Sequence, residues 1–206
     1  MNNPGASAAA VTVLVVCTGN ICRSAMAEQL GRAYLQEALG ERAGDIRVVS
    51  AGTQAVVGSA MHPDSALVLS GFGARAENFR AQQLTDALPA QADLILTMTR
   101  SHRREVLARA PRALARTFTV REAAGLLAVL DGGSGSAVVG ENFGHRVRSL
   151  VAALGGARSR RQGGAEDDVP DPIRQPIEVH EQVAELIVES LLPLLSRIVS
   201  LHESLD

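Results

Sequence analysis

The chain has 206 residues, 46% of them apolar, with 20 basic residues against 22 acidic ones for a net charge of −2. That length suits one globular domain with a sizeable core, and that balance excludes disorder, a fibrous repeat and a broad nucleic-acid-binding face. Every basic residue is arginine, which excludes a Schiff-base or Walker-type lysine, and two cysteines are too few for a disulfide scaffold or a four-Cys zinc site.

Residues 1–10 carry no basic leader and read as a flexible terminus. Val11–Val16 reads as a buried first strand, too short to span a bilayer, followed by a turn and a helix from about Ala25 to Leu39. Ile46–Ser50 is a second strand, with a polar loop and a helix over Pro63–Ser70 behind it. Ala92–Met98 is a third strand followed by a helix at Ser101–Ala110, and Thr117–Val120 a fourth followed by Arg121–Leu130. Asp131–Gly140 is a glycine-rich loop, Asn142–Leu154 a helix, and Gly155–Asp168 a mobile stretch. Apolar residues at 183, 187, 191, 194, 198 and 201 follow helical spacing, so the last segment is an amphipathic helix that Pro193 should kink. The alternation predicts an α/β fold, a parallel sheet covered on both faces, with 11–206 as one domain and 131–168 an insertion in it. The chain reads as soluble and cytoplasmic, with no membrane or nucleic-acid partner. In such sheets ligands bind beyond the carboxyl ends of the strands, which directs attention to the loop after the first one.

That loop is Cys17-Thr18-Gly19-Asn20-Ile21-Cys22-Arg23-Ser24. A strand-to-helix turn can point successive backbone N–H groups inward, an anion nest capped by the helix N-terminus. Gly19 permits a tight backbone, and Asn20 tolerates a left-handed conformation. Arg23 supplies a planar fork of donors for a phosphate-like oxyanion. Cys17 at the bottom would be favoured as thiolate, and Ser24 would cap the helix or donate to that sulfur. A thiolate beneath a tetrahedral anion pocket suits attack on phosphorus. A strand-end Cys standing alone is usually a small core residue; Arg23 and Ser24 turn that reading round. Cys22 is either a filler or a thiol that forms a reversible disulfide with Cys17 on oxidation. No metal is expected, because no His lies near it in sequence.

A nucleophile of this kind needs a proton donor for the leaving oxygen. Asp171, stiffened between Pro170 and Pro172, is the candidate, with Asp168 as the fallback; alone, Asp-Pro would merely start a turn. His62, His102, His145, His180 and His202 are scattered and read as surface residues. Arg100, Arg103 and Arg104 read as a solvated face, and Met26 and Met98 as core.

At these residues the sequence resembles the low molecular weight protein tyrosine phosphatase family, bacterial type. VLVVCTGNICRSAMAEQL is similar to its first strand, phosphate loop and first helix, and SAGTQAVVGSAMHPDSALVLSGFG to the following strand, variable loop and helix. ADLILTMTRSHRREVL is similar to the next strand–helix unit, and VPDP to the late acid loop. The resemblance spans roughly 11–130 and 169–200 and implies a three-layer α/β/α fold around a mostly parallel four-stranded sheet. It implies hydrolysis of a phosphorylated protein in two steps without cofactor or metal. Cys17 attacks phosphorus, Arg23 and the amides of residues 18–24 hold the oxygens, and Asp171 protonates the leaving group. In members acting on phosphotyrosine, aromatics often stand beside the acid and in the variable loop. Here Ile173 follows Pro172, and Gln54–Val57 contains none. Ile21 points the other way, since relatives acting on phosphoarginine carry Thr there. Two rivals use the same pocket: arsenate reduction, which with only two cysteines would need an external small thiol, and non-hydrolytic binding of a phosphorylated partner.

Overall fold

A computed structural model describes residues 10–132 and 138–203. The flexible terminus expected at the start, apart from Ala10, and the middle of the glycine-rich loop lie outside the described residues. Four strands form one sheet: β1 (Val11–Cys17), β2 (Ile46–Gly52), β3 (Leu94–Thr97) and β4 (Thr117–Thr119). Their order is β2-β1-β3-β4, and every pairing is parallel. β1 carries apolar side chains on both faces. Val13, Val15 and Cys17 join one hydrophobic cluster, and Leu14 and Val16 the other. A strand buried on both sides can occupy only the middle of a covered sheet.

One face is covered by α1 (Arg23–Leu39), α2 (Pro63–Gly71), α5 (Val120–Asp131), α6 (Phe143–Ala157) and α7 (Ile177–Glu203). The other is covered by α3 (Ala87–Gln91), α4 (Arg100–Arg109) and a 3₁₀ segment over Pro111–Arg116, through Leu88, Val106 and Ala113. The result is a three-layer α/β/α fold. α3, with five residues, is too short to show a period and was not expected. Among the described residues no helix is long and apolar enough to cross a membrane. α7 runs through Pro193 as one element and buries Leu191, Leu194, Leu195 and Ile198.

Two expectations are corrected. The stretch 155–168 is held in place. α6 continues to Ala157, Arg158 donates to Glu122 and to the Thr117 carbonyl while lying over the Phe118 ring, and Arg161 pairs with buried Asp167. Glycine and charge count made it look mobile, because composition does not record which arginines find partners. Arg103, likewise, is no part of a solvated face: its Nε donates to the Thr117 carbonyl at 3.1 Å, and burial pushes its pKa down.

The end of β2 is packed tightly against the loop that leaves β1. Cys17 and Gly52 are register partners, and a Cβ at Gly52 would collide with the Thr18 carbonyl oxygen and lie 2.9 Å from Ala55 Cα. Both neighbours are backbone and cannot turn aside. Gly52→Ala should therefore lower stability in urea by about 1–3 kcal/mol. Unchanged stability would mean that the loop can shift freely.

Candidate active site

β1 delivers Cys17 to the carboxyl edge of the sheet, between its two parallel neighbours β2 and β3; this edge is where open parallel sheets bind ligands. The chain then turns, and α1 begins at Arg23, two residues earlier than the sequence suggests. Ser24 therefore lies inside the helix and does not cap it. Its Oγ sits 2.9 Å from Cys17 Sγ, which decides between its two expected roles.

The turn is shaped from outside. The carbonyls of Cys17, Thr18, Gly19 and Ile21 accept from the amides of Thr53, Gln54, Val56 and His62 at 2.8–3.0 Å. Four of the loop's carbonyls are thus engaged by the neighbouring segment, and the Asn20 N–H donates to Cys17 Sγ at 3.3 Å. The left-handed residue is Asn20, at φ 54°. Gly19 has no positive φ, and a Cβ there would meet only ordinary contacts, so the steric demand expected at Gly19 falls on Gly52 instead.

Asn20 is fully buried and uses its whole side-chain amide. Nδ2 donates to Ser24 Oγ (2.9 Å) and Ser50 Oγ (2.7 Å), and Oδ1 accepts from Gln82 N–H (2.8 Å). Ser24 Oγ accepts from Asn20 and has two acceptors near its own proton, Cys17 Sγ at 2.9 Å and the Ala51 carbonyl at 3.5 Å, of which the sulfur is the nearer. Ser50 passes the network on to Glu28 at 2.5 Å, and Arg32 closes it at 2.7 Å. Burial pushes the Glu28 pKa up against the pull of Ser50 and Arg32.

Arg23 is almost wholly buried. Its guanidinium donates to the Val169 carbonyl (3.2 Å) and to Asp171 Oδ2 (2.5 Å), while Nε has no hydrogen-bond partner among the described residues. The contact brings Asp171 to the loop from 148 residues away, its carboxylate 43% exposed. Asp168, the fallback acid, is committed elsewhere: it accepts from the Arg100 amide and guanidinium. Burial raises its pKa, but these Arg100 bonds outweigh that and hold it below the ordinary value. Cys17, Thr18, Gly19, Ile21, Cys22 and Arg23 line a cleft of about 240 Å³, with Gln54, Val56, Asp171 and Ile173 at its walls. Both cysteines are free thiols, and burial pushes the Cys22 pKa up to about 11.

Sequence reasoning missed His102. It is 5% exposed, in the first turn of α4, with Nε2 2.8 Å from Thr18 Oγ1 and Nδ1 2.9 Å from Thr99 Oγ1. A signal existed: His102 follows β3, the strand beside β1, at the same sheet edge. Gln82, Ser50 and Glu28 were missed as well, and nothing in their local sequence marks them.

A parallel sheet that sets a cysteine and an arginine around one anion-binding turn defines a class of oxyanion-handling α/β proteins. Comparison with known proteins narrows this. The family model for low molecular weight phosphotyrosine protein phosphatase matches residues 12–137, and the chain belongs to that family. A Ralstonia solanacearum protein described as probable low molecular weight protein-tyrosine-phosphatase EpsP is 41% identical over 111 residues, 54% of this chain and 71% of its own. The structure of Vibrio vulnificus Wzb in complex with benzylphosphonate is 26% identical, with a TM-score of 0.61 over 91% of this chain and 98% of that one. YwlE arginine phosphatase from Geobacillus stearothermophilus is also 26% identical, with a TM-score of 0.60 over 92% and 91%. Asp171 lies beyond the residues that the family model matches, so its assignment to the site rests on the contact with Arg23.

Burial, then the nearby Arg23 charge, pushes the His102 pKa down to about 4. The unfolded chain therefore binds this proton more readily than the native one. The stabilisation is complete above the ordinary value near 6.5 and is lost as pH falls toward 4, up to about 3 kcal/mol in all. Urea unfolding of wild type and His102→Gln from pH 7 to 4 should show the gap between the two curves closing over that window. Parallel curves would sink the assignment.

Proposed function

We propose that the protein hydrolyses aryl phosphate monoesters, phosphotyrosine on proteins above all, through a cysteinyl-phosphate intermediate and with no step that needs a metal ion. The observation that carries this is the buried Arg23 guanidinium joined to Asp171 beside Cys17 in one cleft.

A phosphoryl group entering the cleft competes with Asp171 for Arg23 and supplies the partner that Arg23 Nε lacks. The Cys17 thiolate attacks phosphorus in line with the leaving oxygen. The P–O bond breaks, and Asp171, entering as the acid, gives that oxygen its proton. The amides of residues 18–24 and Arg23 hold the three equatorial oxygens through both steps. In the second step the Asp171 carboxylate takes a proton from water, the water oxygen bonds phosphorus, and the P–S bond breaks. Ser24 Oγ, at 2.9 Å, and the Asn20 amide, at 3.3 Å, then receive the departing sulfur with its negative charge. Inorganic phosphate is the product and should bind the same loop as a competitive inhibitor.

The walls favour an aryl leaving group. Ile21, Val56 and Ile173 line the cleft with apolar surface, and none offers a hydrogen bond to a guanidine leaving group. With so few aromatics in the chain, these aliphatic faces would hold the substrate ring.

Turnover of p-nitrophenyl phosphate in chelator by reduced wild type is the first expected result, with Cys17→Ser folded and inactive; appreciable turnover by the variant would move the nucleophile elsewhere. Asp171→Asn should lose about 10²-fold or more on phenyl phosphate and far less on p-nitrophenyl phosphate, whose leaving oxygen needs little help. Equal losses on both substrates would count against Asp171 as the acid. Wild type should also prefer a phosphotyrosyl peptide to a phosphoarginyl one in kcat/KM, and the reverse order would overturn the aryl reading.

A further inference from the structure

The fold assembles a second cluster behind the phosphate loop. Cys22, His62 and His180 each offer one ligand atom, and these atoms all lie within 4.8 Å of one another. They come from the loop, from the residue ahead of α2 and from the first turns of α7. The two imidazoles stack at 5.0 Å between centroids. Stacking accounts for the rings but not for their nitrogens. His180 is fully buried, and His180 Nε2 and His62 Nδ1 are both buried without a hydrogen-bond partner among the described residues. Two unsatisfied polar atoms side by side are costly, and a native interior rarely keeps them without a use.

The surroundings prepare these atoms for a cation. Ser65 Oγ, itself buried, lies 2.9 Å from His180 Nδ1. When Nδ1–H donates to Ser65, the lone pair stands on Nε2, the tautomer and orientation that metal-binding histidines take from such a partner. The Asp64 carboxylate is 3.8 Å from His62 Nδ1. One sulfur and two imidazole nitrogens match the zinc class of divalent ions, against calcium or magnesium. Ligand atoms around such an ion stand about 3.5 Å apart, so side-chain rotations are enough to close the site.

We propose that Cys22, His62 and His180 form a three-ligand site for a divalent ion of the zinc class, with the fourth position filled by water or Asp64. On binding, the Cys22 S–H bond is replaced by an S–metal bond and the proton passes to solvent. The ion ties the phosphate loop to α2 and α7. Cys22 also lines the cleft in which the hydrolysis is placed, but the ion supplies no step of that reaction and its binding does not rest on that reading.

Titration of reduced full-length protein with Co²⁺, read as a thiolate-to-cobalt charge-transfer band and reversed by Zn²⁺, tests this. One ion per chain is expected in wild type and in Cys17→Ser, with no band in Cys22→Ser and affinity at least about 10-fold weaker in His180→Ala. His62→Ala should weaken binding likewise and serves if His180→Ala does not fold. Zinc should raise the thermal midpoint of wild type and Cys17→Ser but not of Cys22→Ser. A band that survives Cys22→Ser and vanishes in Cys17→Ser would put the ion on the other thiol and overturn the proposal. So would undiminished affinity in the histidine variants, or no uptake by wild type at millimolar metal.

Discussion

The active-site loop depends on one constraint: its carbonyls must be bound on the outside so that its amides remain for the inside. Left free, a turn of this length would bond its own peptide groups, and the inward face would be mixed in charge. Here the segment over residues 53–62 accepts that task, taking four loop carbonyls in turn. Asn20 is the left-handed residue of this turn, with every hydrogen-bonding group of its side chain in use. The turn is consequently shaped by a neighbouring segment, and Gly52 is the point where the two segments come too close for a side chain.

The second organising interaction is the pair Arg23–Asp171. A guanidinium with almost no exposure and no counter-charge would be costly to keep, and the acid loop supplies the compensation. Arg23 binds Asp171 and the Val169 carbonyl at once, so the segment around Asp171 is registered against the loop that follows β1. The Val169 backbone strengthens that register, bonding Arg23 through its carbonyl and Met98 through its amide.

The segment that looked like an insertion also bears on the acid loop. Arg158 fastens it to α5 and β4, Arg161 pairs with Asp167, and Asp168 binds Arg100 at the start of α4. Three successive ion pairs therefore lead the chain from the end of α6 to Val169. Each is partly exposed and individually modest, but together they fix the entry to the loop whose tip carries Asp171.

Much of this was legible in the sequence. The buried strands declared themselves by unbroken apolar runs, and a covered parallel sheet is the only arrangement that hides both of their faces. That Cys17, Arg23 and Ser24 share one turn was legible because they lie within eight residues between a strand and a helix, where distance along the chain and distance in space coincide. Tertiary structure alone decided everything that required distant segments to meet. It made His102 a buried partner of Thr18 rather than a surface residue, turned Asp168 away to Arg100 and Asp171 toward Arg23, and moved the steric need for glycine from Gly19 to Gly52. It brought His62 and His180 to Cys22, although no histidine lies near that cysteine in sequence. Local pattern records backbone conformation and burial, whereas the pairing of polar groups across the chain is fixed only when packing brings them within hydrogen-bonding distance.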